Sequence, residues 1–428
     1  MHNPIKRGIN INLEALRGFA ALFVVLGHVL ALNQFFDAQY LPTITVVFAP
    51  SPHLPLLVFF VLSGYVITAS NPELSTGHKV LTYIKKRILR IYPIYFVAML
   101  ITLLIAGFHY PVYAIIANFA MLQVLLVPQF FENGPAWSLH FEALYYLLYI
   151  PVSFFRLNTL AIFFISAFIA VGNYYFYPNI YTPLISSYLF GFTFWIGGAC
   201  IAKYLSNTHQ NVPYNVLLSV LFFLLAIDQL VQKSGFPQLI DKINYGIFHY
   251  HLLYPNVEGS KIVLSYTDLA FLPYCLYFVL IFSGRKFKYE KVFFSILQLP
   301  IIYALIVTAT ETRHLHLLSF MVPVAYYIIS LTLLFVNSRF INKTGQIVIK
   351  FGAWLGGISY AMYIIHAPII FALGKINFFD NHILSYITRF VLLIVLVLGL
   401  SYVLEKIFQP YMKKLFATKN SPNAHINV

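Results

Sequence analysis

The chain is short of charge. Only 9% of its 428 residues are Asp, Glu, Lys or Arg, against about 25% in an ordinary soluble domain. Acidic side chains are the scarcest, 13 against 27 lysines and arginines. Cysteine is nearly absent: Cys200 and Cys275 each sit inside an apolar run, which excludes a disulfide framework and offers no metal-ligand spacing. No metal site and no permanently bound cofactor is expected. The sequence also lacks an internal repeat, a low-complexity tract and any stretch polar enough to form a soluble domain. What fills the chain is apolar, 60% hydrophobic and 18% aromatic residues, the composition of a protein with many lipid contacts and interfacial rings.

The formal net charge of +14 raises the question of a nucleic-acid partner, and the placement of the cations answers it. They cluster in short stretches between apolar runs: Lys79 to Arg90, Arg285 to Lys291, Arg339 to Lys350 and Lys406 to Lys419. That is the positive-inside pattern, which orients spans and attracts anionic headgroups. The expected partner of these cations is a lipid bilayer, with no nucleic acid. A signal peptide is excluded because Arg17 and His28 lie inside the first apolar segment and no cleavage site follows.

A membrane-spanning helix takes about 20 mostly apolar residues. Candidate spans are Leu13–Leu32, Leu56–Ser70, Ile91–Phe108, Ser138–Phe155, Leu160–Tyr175, Ser186–Leu205 and Val216–Val231. Further ones are Leu269–Ser283, Val292–Thr308, Leu317–Val336, Trp354–Leu373 and Leu384–Ile407. The expected fold is all-α, a polytopic transmembrane bundle of ten to twelve spans over residues 1–410, with a polar cytoplasmic tail over 411–428. Tyr113–Val127 is expected as a re-entrant or interfacial piece, since a full span there would break the alternation of basic loops. Both termini and the loop at Lys79–Arg90 are then cytoplasmic, and Gln232–Asp268 faces outward.

Charges inside spans cost roughly 2.5–3.5 kcal/mol each on insertion scales, so each calls for a reason. The first span carries Glu14, Arg17 and His28. Arg17 and His28 are eleven residues apart, three turns plus a small remainder, which puts both on one helix face roughly 16 Å apart along the axis. Next comes Phe59-Phe60-Val61-Leu62-Ser63-Gly64, and after it Arg87-Ile88-Leu89-Arg90-Ile91-Tyr92-Pro93. Two arginines three apart share a helix face, and paired guanidinium forks suit phosphate groups. Trp137-Ser138-Leu139-His140-Phe141-Glu142 opens a later span, placing a carboxylate one turn into an apolar helix. Ser359, Tyr363 and His366 form one polar stripe, and Glu405 marks the last span.

These pieces, in this order, resemble the acyltransferase-3 family of membrane acyltransferases, from Leu13 to about Pro410. The resemblance rests on Leu13-Glu14-Ala15-Leu16-Arg17-Gly18 with its Arg–x10–His spacing, the Phe-Phe-Val-Leu-Ser-Gly run, Arg-x-x-Arg-Ile-Tyr-Pro, Trp-Ser-Leu-x-x-Glu, and Ser-Tyr-x-x-Tyr-x-x-His before a terminal Glu. It implies acyl-CoA as donor, a cytoplasmic donor entrance, and a hydroxyl acceptor on a sugar, lipid-linked glycan or peptidoglycan. The expected reaction is O-acetylation of an envelope polysaccharide, lipopolysaccharide or exopolysaccharide, or a lipid-linked precursor, in a bacterial inner membrane, with acetyl-CoA as co-substrate. Arg87 and Arg90, helped by Arg17, are expected to hold the coenzyme phosphates. His28 is expected as general base or transient acyl carrier, with Glu142 orienting it. Glu14, Ser63, Trp137, His140, Tyr363 and His366 are expected as acceptor contacts or as supports of those residues. Two departures stand out: Glu14 replaces the usual aspartate, and His140 stands where many relatives have a small or polar residue. A transporter or glycan flippase would also bury charges, but the inverted repeats common in transporters are not found.

Overall fold

The computed structural model describes residues 10–71, 73–176, 182–205, 211–233, 245–246, 264–311 and 317–416. Among these described residues it is 82% helical with no strands. Helices α1 (Ile11–Ala31), α2 (Asn33–Phe36), α3 (Thr43–Phe48) and α4 (His53–Ser70) precede a 30-residue α5 (Gly77–Ala106) and a short α6 (Val112–Phe119). Then follow α7 (Trp137–Phe154), α8 (Thr159–Phe176), α9 (Thr182–Tyr204), α10 (Tyr214–Lys233) and α11 (Leu272–Ser283). After α12 (Glu290–Glu311), α13 (Leu317–Phe335) and α14 (Arg339–Gly356) come α15 (Ser359–Gly374), α16 (His382–Tyr402) and α17 (Gln409–Phe416), with a π-helical turn at Val403–Phe408.

Among the described residues six helical segments are long and apolar enough to cross a bilayer: Ile11–Ala31, His53–Ser70, Gly77–Ala106, Leu184–Tyr204, Tyr266–Ser283 and His382–Phe416. Met321–Phe335 and Arg339–Gly356 form a further pair bent by 118°, and three shorter apolar helices bring the number to ten if all of them cross. The protein is an all-α, polytopic integral membrane protein.

Local chemistry accounts for the ends of these elements. Asn10 caps α1, its side-chain oxygen accepting from the Asn12 and Leu13 amides, and Thr76 caps α5 through the Lys79 amide. Gly107 ends α5 in the left-handed conformation, at φ 70°, which costs glycine nothing. The basic stretches at Lys79–Arg90 and Arg339–Lys350, expected as loops, are helical. Their charges mark position relative to the membrane and say nothing about backbone conformation. Trp354–Leu373 is likewise two helices, broken at Gly357 and Ile358. Tyr113–Val127 holds only the eight-residue α6, about 12 Å long and too short to span. Helix α17 continues to Phe416, so the first part of the expected tail is ordered as helix. Most of Gln232–Asp268 and all of 417–428 lie outside the described residues.

The chain divides into two compact units: Met1–Gln34, Ala38–Glu73 and Phe141–Gly357 form the first, and Phe35–Asp37, Leu74–His140 and Ile358–Val428 the second. In the second unit α5 packs against α15 and α17, and α15 against α16. In the first, the tightest pairs are α4 with α9 and α1 with α14, and both are drawn together by glycine. A Cβ on Gly64 would lie 1.7 Å from the Trp195 carbonyl oxygen, and one on Gly198 would lie 1.9 Å from that of Val61. Across the other pair, Gly18 meets the Gly352 carbonyl at 2.0 Å and Gly356 meets that of Glu14 at 2.0 Å by the same measure. Such small-residue contacts let backbones approach closely where lipid supplies no hydrophobic drive.

Gly64→Ala should therefore destabilise the purified protein by about 1–3 kcal/mol, the usual cost of overpacking. Gly172→Ala, whose added methyl would meet nothing within 4 Å, is the control. Thermal melting in detergent checks the pair, and equal midpoints would show that the α4–α9 contact yields without cost.

Candidate active site

The first helix presents its polar residues along one side. Near its start Arg17 Nη1 donates to Glu14 Oε1 at 2.7 Å, one turn apart, with about a fifth of each side chain exposed. Farther along, His28 Nδ1 donates to the Val24 carbonyl at 2.9 Å. A carbonyl can only accept, so Nδ1 carries the proton and the neutral ring keeps its lone pair on Nε2. The His28 end of α1 meets the start of α4: a Cβ on Gly27 would touch the Pro50 carbonyl oxygen at 2.6 Å and the Pro52 nitrogen at 2.7 Å.

A second constellation, also in the first unit, gathers on Glu142. Ser63 Oγ donates to Glu142 Oε1 at 2.9 Å, and Tyr146, one turn on along α7, donates to the same oxygen. Trp195 Nε1 reaches Ser63 Oγ at 3.3 Å. The structure thus brings Ser63 and Glu142 together and does not join Glu142 to His28, with which it shares no hydrogen bond among the described residues. Ser63 lies ten residues past His53, about 15 Å along α4, whereas the His28 end of α1 abuts the residues just before His53.

The arginine pair lies on α5 in the second unit. Arg90 Nη1 donates to Glu405 Oε2 at 2.6 Å and to Gln409 Oε1 at 2.7 Å, and its guanidinium lies over the Tyr360 ring. Glu405 sits in the π-helical turn with its side chain only 2% exposed. Arg87, one turn earlier, lies over the Tyr83 ring. Trp137 stands half-buried where a 3-10 turn hands over to α7. Ser138 Oγ and Tyr363 Oη are 2.6 Å apart, and Tyr363 also donates to the Pro135 carbonyl. His366 is fully buried and donates from Nδ1 to the Tyr363 carbonyl. His140 Nδ1 donates to the Met121 carbonyl at 2.6 Å, pinning a turn in which Met121 has φ 58°.

One cluster escaped the sequence reading. His53 Nε2 donates to Asp268 Oδ1 at 2.7 Å, and Asp268 Oδ2 accepts from the Ser265 amide at 2.7 Å. Asp228, fully buried on α10, accepts from the Ser51 amide at 2.5 Å. The available signal was a histidine opening an apolar run directly after a proline; its partners are too far away in sequence to be paired by spacing. Among the described residues no three His, Cys, Asp or Glu side chains converge as metal ligands.

Comparison with known proteins bears on this geometry. A protein of Acidianus two-tailed virus, provisionally named acetyltransferase ORF330, is 25% identical over 315 residues, covering 63% of this chain and 91% of that protein. No solved structure matches. The family model described as "Acyltransferase domain", that of the acyltransferase-3 family, matches residues 10–282. That stretch holds His28, Ser63, Arg87, Arg90 and Glu142, and it ends before Tyr363, His366 and Glu405. With well over half of its length matched, the chain belongs to the acyltransferase-3 family.

Proposed function

We propose that this acyltransferase takes an acetyl group from acetyl-CoA and esterifies a hydroxyl of an envelope polysaccharide, lipopolysaccharide or lipid-linked glycan. The observation that carries the reading is the tautomer of His28. With Nδ1 donating to the Val24 carbonyl, the lone pair of the neutral ring is on Nε2, and a general base or an acyl-carrying nucleophile acts through such a nitrogen. Arg87 and Arg90 hold the coenzyme phosphates. Arg90 has five N–H donors to divide between Glu405 and a phosphate. Glu142 acts through Ser63 and Tyr146, as a positioning group for the polar end of the acceptor. Tyr363, Ser138 and His366 support the start of α7, and with it Trp137 and His140. The protein sits in a bacterial inner membrane with both termini in the cytoplasm.

The direct test is thiol release from acetyl-CoA by the purified protein in detergent; no release would sink the donor assignment. His28→Ala should insert normally and lose about 10²–10⁴-fold in turnover. Glu142→Gln should lose less, and Ser63→Ala combined with Glu142→Gln should be no worse than the more severe single variant, because groups acting as one unit are non-additive. Additive losses would separate Ser63 from the carboxylate in function.

Arg87→Ala should chiefly raise the apparent KM for acetyl-CoA, and Arg87→Lys should restore only part, since a point charge cannot reproduce a two-pronged phosphate contact. A lysine variant equal to wild type would place the coenzyme elsewhere. For the orientation, a cysteine replacing Lys86 should react only with membrane-permeant reagents; labelling by an impermeant one in intact cells would reverse the assignment.

A further inference from the structure

His53 and Asp268 have the geometry of a histidine–carboxylate pair tuned for proton transfer. Asp268 is held at both oxygens, one by the Ser265 amide at 2.7 Å and the other by His53 Nε2 at 2.7 Å. A carboxylate accepts, so Nε2 carries a proton, and in the neutral ring the His53 lone pair is on Nδ1. The Asp268 side chain is 9% exposed and that of His53 is 31% exposed, so the carboxylate is covered while the imidazole can be reached. Asp228 adds a second negative charge that acts on His53, and it is tied in through Ser51, whose hydroxyl accepts from the His53 amide at 3.1 Å. A carboxylate behind an imidazole fixes its tautomer and stabilises the cation formed when it takes a proton. The pair also lies at the right end of the unit, because Gly27, which precedes His28, packs against Pro52, which precedes His53.

We propose that His53, positioned by Asp268, is the base that takes the proton from the acceptor hydroxyl, which leaves His28 to carry the acyl group. The inference rests on the acetyl-CoA reading above. In the first step His28 Nε2 attacks the thioester carbonyl, a C–N bond forms, the C–S bond breaks, and the thiolate leaves. In the second the acceptor oxygen attacks the acyl carbon while its proton passes to His53 Nδ1. The C–N bond breaks and its electron pair returns to His28. His53 releases its proton to solvent, and the thiolate takes up one proton, so the sum is acetyl-CoA and alcohol giving ester and free coenzyme.

The test compares two acceptors in the purified full-length protein. Water, like a sugar hydroxyl, needs a base to attack, whereas hydroxylamine attacks an acyl group without one. His53→Gln and His53→Asn should lower acyl transfer to water about 10²–10⁴-fold. The same variants should form acetyl hydroxamate within about threefold of wild type, because removing a base spares the step that does not use it. Asp268→Asn should lose transfer to water partially with the same sparing of hydroxamate, and His28→Ala should lose both. Equal losses with the two acceptors would make the pair structural and overturn the proposal, as would undiminished transfer to water. Should neither His53 variant insert, Asp268→Asn decides by the same comparison. A wild type that releases no thiol with either acceptor refutes the acetyl-CoA reading instead, an outcome distinct from any pattern among the variants.

Discussion

The contact between α4 and α9 at Gly64 is the constraint on which the Glu142 cluster depends. With no side chain at Gly64, the Trp195 carbonyl comes close enough that even a methyl group would collide with it. That approach brings the Trp195 indole to Ser63, the residue just before Gly64, and Ser63 in turn donates to Glu142. Serine and glycine in the Phe-Phe-Val-Leu-Ser-Gly run therefore have separate jobs: the glycine sets the distance between backbones and the serine uses it. Gly198 repeats the arrangement from the other helix, against Val61 and Tyr65, so the register of the two helices is specified at two levels. Dispersion between closely packed backbones is a main source of helix association in lipid, and here the same contact carries a polar cluster.

The second organising fact is that buried charged side chains are hydrogen-bonded. Arg389 donates to Asp37 at 2.5 Å with both side chains nearly covered, and Arg285 donates to Tyr65 and to the Leu205 carbonyl. In a medium without water an unsatisfied polar group costs several kcal/mol, so such pairs are what insertion demands. They also help to separate structural charges from chemical ones. Arg389 and Asp37 are sealed, whereas His28, Glu142 and His53 are only partly covered. Partial exposure on a residue that is costly to bury is the better mark of a working group.

Much of this was legible in the sequence, and the failures have physical causes. The limits of α1, α4, α7 and α8 followed from apolar length alone, because a span must match the thickness of the bilayer. The basic stretches were misread as loops since a helix that emerges from the membrane stays helical while its residues turn polar, as α5 does at Lys79–Arg90. The motifs holding Arg17, His28, Ser63, Arg87, Arg90 and Glu142, all within the stretch that the family model matches, pointed to the family because their spacing is local. Pairing was not. Glu142 was expected to orient His28, whereas the hydrogen bonds it makes are to Tyr146, one turn on, and to Ser63, 79 residues away. His53 and Asp268 are 215 residues apart, and nothing local in either stretch points to the other.

The two histidines differ in a way that bears on chemistry. His28 gives its Nδ1 proton to a backbone carbonyl and keeps an Nε2 lone pair; His53 gives its Nε2 proton to a carboxylate and keeps the lone pair on Nδ1. A backbone carbonyl fixes the ring but carries no full charge, so it does little to stabilise an imidazolium. A buried carboxylate does both. The first environment suits a nucleophile, whose lone pair forms a bond and then recovers it; the second suits a base, which must hold a proton while the acceptor oxygen attacks. One imidazole nitrogen cannot carry the acyl group and accept that proton at the same moment, because both need the same lone pair. The double displacement proposed at this end of the unit would therefore use two acceptor nitrogens, one on His28 and one on His53.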